Sequence, residues 1–95
     1  MRLTTNEADA IREEVGRLDP AAELYLYGSR TDDAARGGDI DLLVVSDKLE
    51  FRDVLRLRIG ILDRIGWQQL DLLVRRQDQL NDALARMAKE TGQKL

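Results

Sequence analysis

Apolar residues recur along this chain with two different periods. Some stretches place them three or four positions apart, as one face of a helix does, and others are short apolar runs typical of strands. Glycine and proline separate these stretches at Asp19-Pro20, Gly28, Gly37-Gly38, Gly66 and Gly92. The pattern predicts helices over about residues 4–18, 29–36, 50–65 and 78–91, and strands over about residues 22–27, 39–45 and 69–74.

The first helix carries clear signals for its start and its end. Thr4 and Glu7 have the spacing of a capping box, and Leu3 and Ala8 are placed to form a hydrophobic staple. Asp19-Pro20 is expected to end the helix. The residues predicted to face the core are Ala8, Ile11, Val15 and Leu18.

Each of the two later long helices is also predicted to bury one apolar side. In helix 50–65 the inward residues are predicted to be Phe51, Val54, Leu55, Ile61, Leu62 and Ile65. In helix 78–91 they are predicted to be Leu80, Ala83, Leu84 and Met87. Arg58 falls inside the first stripe, so we expect its charge to extend to solvent or the stripe to shift toward Leu57. The alternative is that Arg58 is a charge partner for an acidic site or for a subunit contact. Trp67, the only tryptophan, is expected to join the core, and the alternative is that it anchors an interface.

Helices that cover a small sheet define the fold class as α/β (α+β) with two layers. We expect a small mixed sheet, although the pattern does not determine the order of its strands. The 95 residues fit a single domain, residues 1–95.

Composition excludes several kinds of chemistry. The chain has no Cys and no His, which excludes disulfides, thiolate or imidazole metal ligands and a Ser-His-Asp triad. Its net charge of −3 provides no basic field that would attract nucleic acid. We expect a cytoplasmic protein, because the sequence has neither the apolar run of a signal peptide nor the roughly 20 apolar residues of a membrane span.

Gly28-Ser29 is the first candidate for a binding site. The pair lies between a predicted strand and a predicted helix, where free N–H groups and the helix dipole suit a phosphate. Gly28 allows the backbone to approach the ligand, and Ser29 adds a hydroxyl. The same pair also fits an ordinary turn and helix cap.

Asp39 and Asp41 are the second candidate. Residues two apart on a strand point to the same face, and Ile40, Leu42 and Val44 are expected to pack on the opposite face. Two neighbouring carboxylates repel each other by about 3 kcal/mol at an effective dielectric constant of ~20, which a divalent cation would offset. Oxygen ligands favour Mg²⁺ or Mn²⁺. The alternative is that Asp39 belongs to the turn and Asp41 pairs with an arginine.

Asp71 is a third carboxylate, within the apolar run Leu70-Asp71-Leu72-Leu73-Val74. Asp is disfavoured in strands, so this position calls for an explanation. If its strand lies beside residues 39–45, all three carboxylates share one face of the sheet. The alternative is an exposed position at the edge of the sheet.

In combination these residues resemble the nucleotidyltransferase signature of the DNA polymerase beta superfamily. That signature is a Gly-Ser pair at the start of a helix, a spacer, an Asp-x-Asp on a strand and a later carboxylate. Here nine residues separate Ser29 from Asp39 in the run that links Tyr27-Gly28-Ser29-Arg30 to Asp39-Ile40-Asp41. The chain is most similar to the minimal nucleotidyltransferases of bacteria and archaea.

The resemblance implies a nucleotidyltransferase fold and a transfer of AMP from ATP to a hydroxyl acceptor. It implies that Asp39, Asp41 and Asp71 are catalytic and hold two Mg²⁺ ions. It further implies that Gly28, Ser29 and Arg30 bind the nucleotide; the alternative for Arg30 is a solvated position on the helix. Physically this is phosphoryl transfer by two metal ions, which needs no histidine.

The resemblance also implies a partner, because proteins of this subgroup typically occur beside a small helical HEPN protein in a toxin–antitoxin pair. The chain would then be the antitoxin that adenylylates its toxin, and both homo-oligomers and hetero-oligomers fit. One alternative is a non-catalytic module that neutralises its partner by masking a surface. A second is an RNA-end nucleotidyltransferase, against which the acidic net charge argues.

Overall fold

The computed structural model describes residues 3–28 and 40–95. In chain order the elements are α1 (Thr5–Leu18), β1 (Glu23–Tyr27), β2 (Ile40–Val45), α2 (Phe51–Ile65), β3 (Leu70–Arg75), a 3₁₀ turn (Gln77–Gln79), α3 (Ala83–Thr91) and β4 (Gln93–Lys94). The short helix predicted over 29–36 lies outside the described residues. No helix within the described ranges is long and apolar enough to cross a membrane.

The four strands form one mixed sheet in the order β3-β2-β1-β4. β1 runs antiparallel to both of its neighbours, β2 and β4, whereas β2 and β3 are parallel. The predicted α+β class and mixed sheet are therefore confirmed. The sequence pattern missed β4, which consists of two polar residues and pairs with Tyr25 and Leu26.

The predicted start of α1 is confirmed in detail. The Thr4 hydroxyl accepts a hydrogen bond from the Glu7 N–H at 3.1 Å, and the Glu7 carboxylate accepts one from the Thr4 N–H at 3.0 Å. Leu3 and Ala8 are both buried in the same cluster. The capping box and the apolar pair on either side of it together set the direction in which the chain enters the helix.

The two faces of the sheet carry separate clusters of buried side chains. Ile40, Leu42 and Val44 of β2 lie on the face that α1 and α2 cover, as expected. The other β2 residues, Leu43 and Val45, lie on the opposite face. The buried residues that complete this second cluster are Tyr25, Tyr27, Ala85 and Ala88. α3 thus covers part of the second face.

The predicted inward side of α2 is partly wrong. Leu57 and Ile61 are buried, whereas Phe51 is 80% exposed and Leu55 is 47% exposed. α1 packs beside α2 at Gly60, where a side chain would collide with the Glu14 carboxylate, and the buried side of α2 is the one that carries Leu57 and Ile61. The stripe has therefore shifted toward Leu57, which was one of the two expectations for this helix.

Arg58 of α2 is half-buried and lies beside Leu70, the first residue of β3. Its guanidinium donates a hydrogen bond to the main-chain oxygen of Leu70. β3 is an edge strand of the described sheet, so its outer carbonyls face no neighbouring strand there. The Arg58 side chain supplies the hydrogen-bond donor for the Leu70 carbonyl instead.

The predicted inward side of α3 is also largely wrong. In α3 the buried residues are Ala85 and Ala88, while Leu84 and Met87 are 46% and 40% exposed. Ala83 is also exposed, and Leu80 alone of the predicted set packs on the cluster. The small alanines allow the helix to lie close to the tyrosines of β1.

Trp67 is 87% exposed rather than part of the core. The helix before it ends at Gly66, whose φ of 88° turns the chain out of α2. Trp67 consequently lies in the loop between α2 and β3, where none of the elements within residues 3–28 and 40–95 covers it.

A buried polar contact joins the end of α1 to the end of β2. The Ser46 hydroxyl donates to Asp19 Oδ2 at 2.5 Å, and both residues are buried. The same hydroxyl oxygen accepts from the N–H groups of Lys48 and Leu49, each at 3.1 Å, in the segment that leads into α2. Ser46 therefore joins three segments of the backbone.

We predict that Ser46→Ala lowers the free energy of unfolding by about 1–3 kcal/mol, because it leaves buried donors and a carboxylate without partners. Urea unfolding followed by circular dichroism measures this change. The control is Thr5→Ala, which removes an exposed hydroxyl and should change stability by less than about 0.5 kcal/mol. Equal effects of the two variants would show that the Ser46 contact contributes nothing specific.

Candidate active site

Three of the residues singled out from the sequence meet at one end of the sheet. Gly28 directly follows β1, and Asp41 and Asp71 are the second residues of β2 and β3. Because β1 runs antiparallel to β2, its carboxyl end lies beside the amino ends of β2 and β3. The topology therefore gathers residues that are more than 40 positions apart along the chain.

Asp41 and Asp71 are register partners on adjacent parallel strands. Neighbouring strands lie about 4.8 Å apart, and register partners project to the same face of a sheet. That face is the one carrying Leu43 and Leu73, opposite the cluster under α1 and α2. Asp41 is half-buried and Asp71 is exposed, so one carboxylate lies within the site and the other lies at its outer side.

The position of Asp71 satisfies both interpretations of its sequence context. It lies on the edge strand β3 and is exposed, and it is also the direct neighbour of Asp41. Like charges at directly opposed strand positions destabilise a sheet. A bound cation would remove this repulsion, and two carboxylates form an oxygen donor set that suits Mg²⁺ or Mn²⁺.

Gly28 is required at its position for two independent reasons. Its φ of 77° is in the region that side chains disfavour. A Cβ atom placed on it would lie 2.5 Å from Oδ2 of Asp41. The sequence suggested that Gly28 allows a ligand to approach the backbone. The structure shows that its missing side chain also leaves room for the Asp41 carboxylate.

Tyr27 is a site residue that the sequence reasoning did not single out beyond quoting it in the motif. It is the register partner of Asp41 on β1 and is buried on the carboxylate face. Burial raises the pKa of its phenol, and the nearby charges of Asp41 and Asp71 raise it further, whereas Arg75 lowers it. The phenol is therefore neutral at physiological pH and adds no negative charge. To find Tyr27 from the sequence, one would have needed to know which residues of β1 face the carboxylates and how β1 pairs with β2.

Three predicted site residues lie outside the described residues: Ser29, Arg30 and Asp39. Within residues 3–28 and 40–95 no group of three or more acidic, His or Cys side chains is placed to hold a metal. In this part of the chain the acidic centre is the pair Asp41 and Asp71. The roles of all six predicted site residues remain predictions.

The comparison with protein families identifies the class to which this fold and acidic centre belong. The family model described as nucleotidyltransferase domain matches residues 8–95, and the chain belongs to this family. No curated protein matches the sequence. The resemblance to nucleotidyltransferases is thus confirmed. It supports transfer of a nucleotidyl group from a nucleoside triphosphate, with the divalent metal that such domains generally use.

We predict that Gly28→Ala weakens binding of Mn²⁺ about tenfold or more, because the new methyl group displaces the Asp41 carboxylate. Gly66→Ala is the matched control: Gly66 also has a positive φ, of 88°, but open space where its Cβ would lie. Both variants should lose about 1–2 kcal/mol of stability to backbone strain. Isothermal titration calorimetry with Mn²⁺ separates the two effects, and equal affinities would contradict the proposed importance of this contact.

Proposed function

We propose that the protein moves AMP from ATP to a hydroxyl group on a partner protein, using two Mg²⁺ ions. The observation that carries this proposal is the register of Asp41 with Asp71 beside Gly28. A pair of carboxylates next to a glycine at a strand end matches the arrangement that the sequence resemblance implies. Family membership supports transfer of a nucleotidyl group in general. The identities of the nucleotide, the metal ion and the acceptor are our proposal.

The donor set is compatible with Mg²⁺. Asp41 and Asp71 offer oxygen ligands on one face, and Asp39 is proposed as the third carboxylate. When bound, the two ions would lower the pKa of the attacking hydroxyl and stabilise the charge on the leaving pyrophosphate.

The residues of the chain have separate roles in this proposal. Gly28, Ser29 and Arg30 hold the triphosphate through backbone and side-chain donors. Asp71 faces the acceptor and favours loss of the hydroxyl proton, which passes to solvent. The acceptor oxygen forms a bond to the α-phosphorus as the bond from that phosphorus to pyrophosphate breaks. Tyr27 lies beside Asp41 on the same face of the sheet as a neutral side chain.

We propose that the acceptor belongs to a small helical protein of the HEPN type and that the chain is an antitoxin that inactivates it by adenylylation. The resemblance to minimal nucleotidyltransferases suggests this partner. Exposed apolar residues on α2 are consistent with a protein partner: Phe51, Leu55 and Ile59 recur every fourth residue and are 80%, 47% and 68% exposed. Contiguous apolar surface of this kind commonly marks an interaction site.

The same apolar stripe also supports a second candidate function, in which the protein neutralises its partner by covering it without catalysis. The two candidates differ in their dependence on the carboxylates. Masking requires the α2 surface but not Asp41, whereas adenylylation requires Asp41. A variant of Asp41 that still neutralises the partner at equal concentration would favour masking.

We predict that Asp41→Asn lowers AMP transfer about 100-fold or more, since it removes a charge that stabilises the transferring group. The assay incubates the chain with ATP, Mg²⁺ and the HEPN-type partner and follows the intact mass of both proteins. Asp78→Asn, an exposed carboxylate in the 3₁₀ turn after β3, lies away from both the acidic end and the α2 stripe; it is the matched control and should transfer at the unaltered rate.

Equal transfer by the Asp41→Asn and Asp78→Asn variants would contradict the assignment of the acidic centre. If the unaltered chain binds the partner yet adds no AMP to either protein, masking becomes the supported function. Omission of Mg²⁺ should abolish transfer, and activity that persists in the presence of a chelator would contradict the metal requirement.

A further inference from the structure

The outer edge of β3 carries main-chain groups that no strand of the described sheet pairs with. The carbonyls of Gln69 and Arg75 accept hydrogen bonds from N–H groups on the β2 side. Because the backbone groups of successive residues alternate in direction along a strand, those of Leu70, Leu72 and Val74 face outward. β3 contains no proline or lysine, which commonly prevent edge pairing. Within residues 3–28 and 40–95, this edge is therefore open to a further strand.

The sequence of β3 is complementary to itself when two copies run antiparallel. A twofold axis at Leu73 places Asp71 opposite Arg75 of the partner subunit, on one face of the joined sheet. It also places Leu72 opposite Val74 of the partner subunit, and the outward backbone groups of both then bond across the seam. A twofold axis one residue to either side would place Asp71 opposite an uncharged residue. Opposite charges at opposed positions stabilise a sheet, so the charges favour the axis at Leu73.

Arg75 has a donor that this pairing would release. Its guanidinium donates to Asp82 at 2.9 Å and to the outward carbonyl of Val74 at 2.9 Å, and its side chain is 32% exposed. In the antiparallel pair the Val74 carbonyl accepts from the N–H of Leu72 of the partner subunit instead. The released guanidinium nitrogen can then donate to Asp71 of the partner subunit, which is an exposed carboxylate.

The exposed apolar stripe of α2 lies on the side of this same edge. On one side of α2, Arg64 donates to two glutamates of α1. On the other side, Arg58 donates to the outward carbonyl of the first residue of β3. Leu55 and Leu62 are three and four residues away from Arg58 and share its side of the helix. A second copy joined through β3 therefore brings its own α2 to face this stripe, while Ile59, further round the helix, stays open to another protein.

We propose that the protein forms a symmetric dimer through the outer edges of β3, in which Arg75 of the partner subunit lies opposite Asp71. The second copy thus contributes a positive charge to the acidic centre, where it offsets part of the repulsion between Asp41 and Asp71. Strand pairing, opposed charges and the apolar sides of the two α2 helices act together at one seam. The inference depends on the surface of β3 and α2 and does not require the proposed transfer of AMP.

Cross-linking tests the register directly, because the chain has no Cys and a single introduced cysteine reports only on contact between copies. Opposed Cα atoms in a pair without hydrogen bonds are about 4.5 Å apart, which permits a disulfide. Leu73→Cys, at the axis, should therefore oxidise to a covalent dimer. The matched control is Leu72→Cys, whose two copies would lie diagonally about 8–9 Å apart, too far for a disulfide. Intact mass under non-reducing conditions measures both.

Sedimentation equilibrium tests the ion pair. The unaltered chain should have a mass near twice 10.8 kDa. Arg75→Glu should weaken self-association about 5- to 30-fold, because two opposed pairs become repulsive. Adding Asp71→Arg to the same chain should restore most of the affinity, which recovery of a contact within one subunit would not explain. Arg86→Glu is the matched control, since Arg86 is exposed on α3, which packs mainly on β1; it should leave the dimer unchanged.

The possible failures are distinguishable. A chain that stays monomeric at the concentrations used for NMR would overturn the dimer and leave the α2 stripe wholly to the HEPN-type partner. Cross-linking through Leu72→Cys in preference to Leu73→Cys would overturn the register, as would a double variant that associates no better than Arg75→Glu alone. None of these results bears on AMP transfer, which the Asp41→Asn variant tests separately.

Discussion

The parallel register between β2 and β3 is the constraint on which the proposed site depends. It places Asp41 beside Asp71, and it is determined by burial on the other face. Ile40, Leu42 and Val44 lie under α1 and α2, so the alternate position Asp41 must face away from them. A slip of β2 by one residue would carry Asp41 into the apolar cluster under α1 and α2. The hydrophobic core thus determines the placement of the carboxylates.

The acidic end of the sheet is assembled at some expense in stability. It places two carboxylates at directly opposed positions on adjacent strands, where like charges destabilise a sheet. The opposite end is stabilised by the buried contact between Ser46 and Asp19, which joins α1, β2 and the start of α2. This division between an end with opposed like charges and a well-bonded end is typical of proteins whose functional sites are grouped at one side of the fold.

Strong local signals explain what the sequence predicted well. The capping box of Thr4 and Glu7 and the alternation of Ile40, Leu42 and Val44 depend on neighbouring residues, and both are confirmed. The apolar residues of α2 and α3 occupy more than one helix face, so local pattern alone did not identify the buried side. There the packing of Gly60 against Glu14, and of two alanines against the sheet, decided the outcome. The pairing of Asp41 with Asp71 depends on the order of the strands, and β4 is defined by its backbone pairing with β1 alone. The local spacing of apolar residues predicts neither of these features.

Paramagnetic relaxation by Mn²⁺ tests the central claim, that Asp41 and Asp71 form one metal-binding centre beside Gly28. Substoichiometric Mn²⁺ added to the ¹⁵N-labelled chain broadens the signals of residues near the bound ion. We predict that the amide signals of Gly28, Asp41 and Asp71 disappear together, while those of Asp19 and Ser46 at the other end of the sheet persist. Uniform broadening, or loss of signals at Asp19 and Ser46 with the three site residues unaffected, would contradict the assignment of the site.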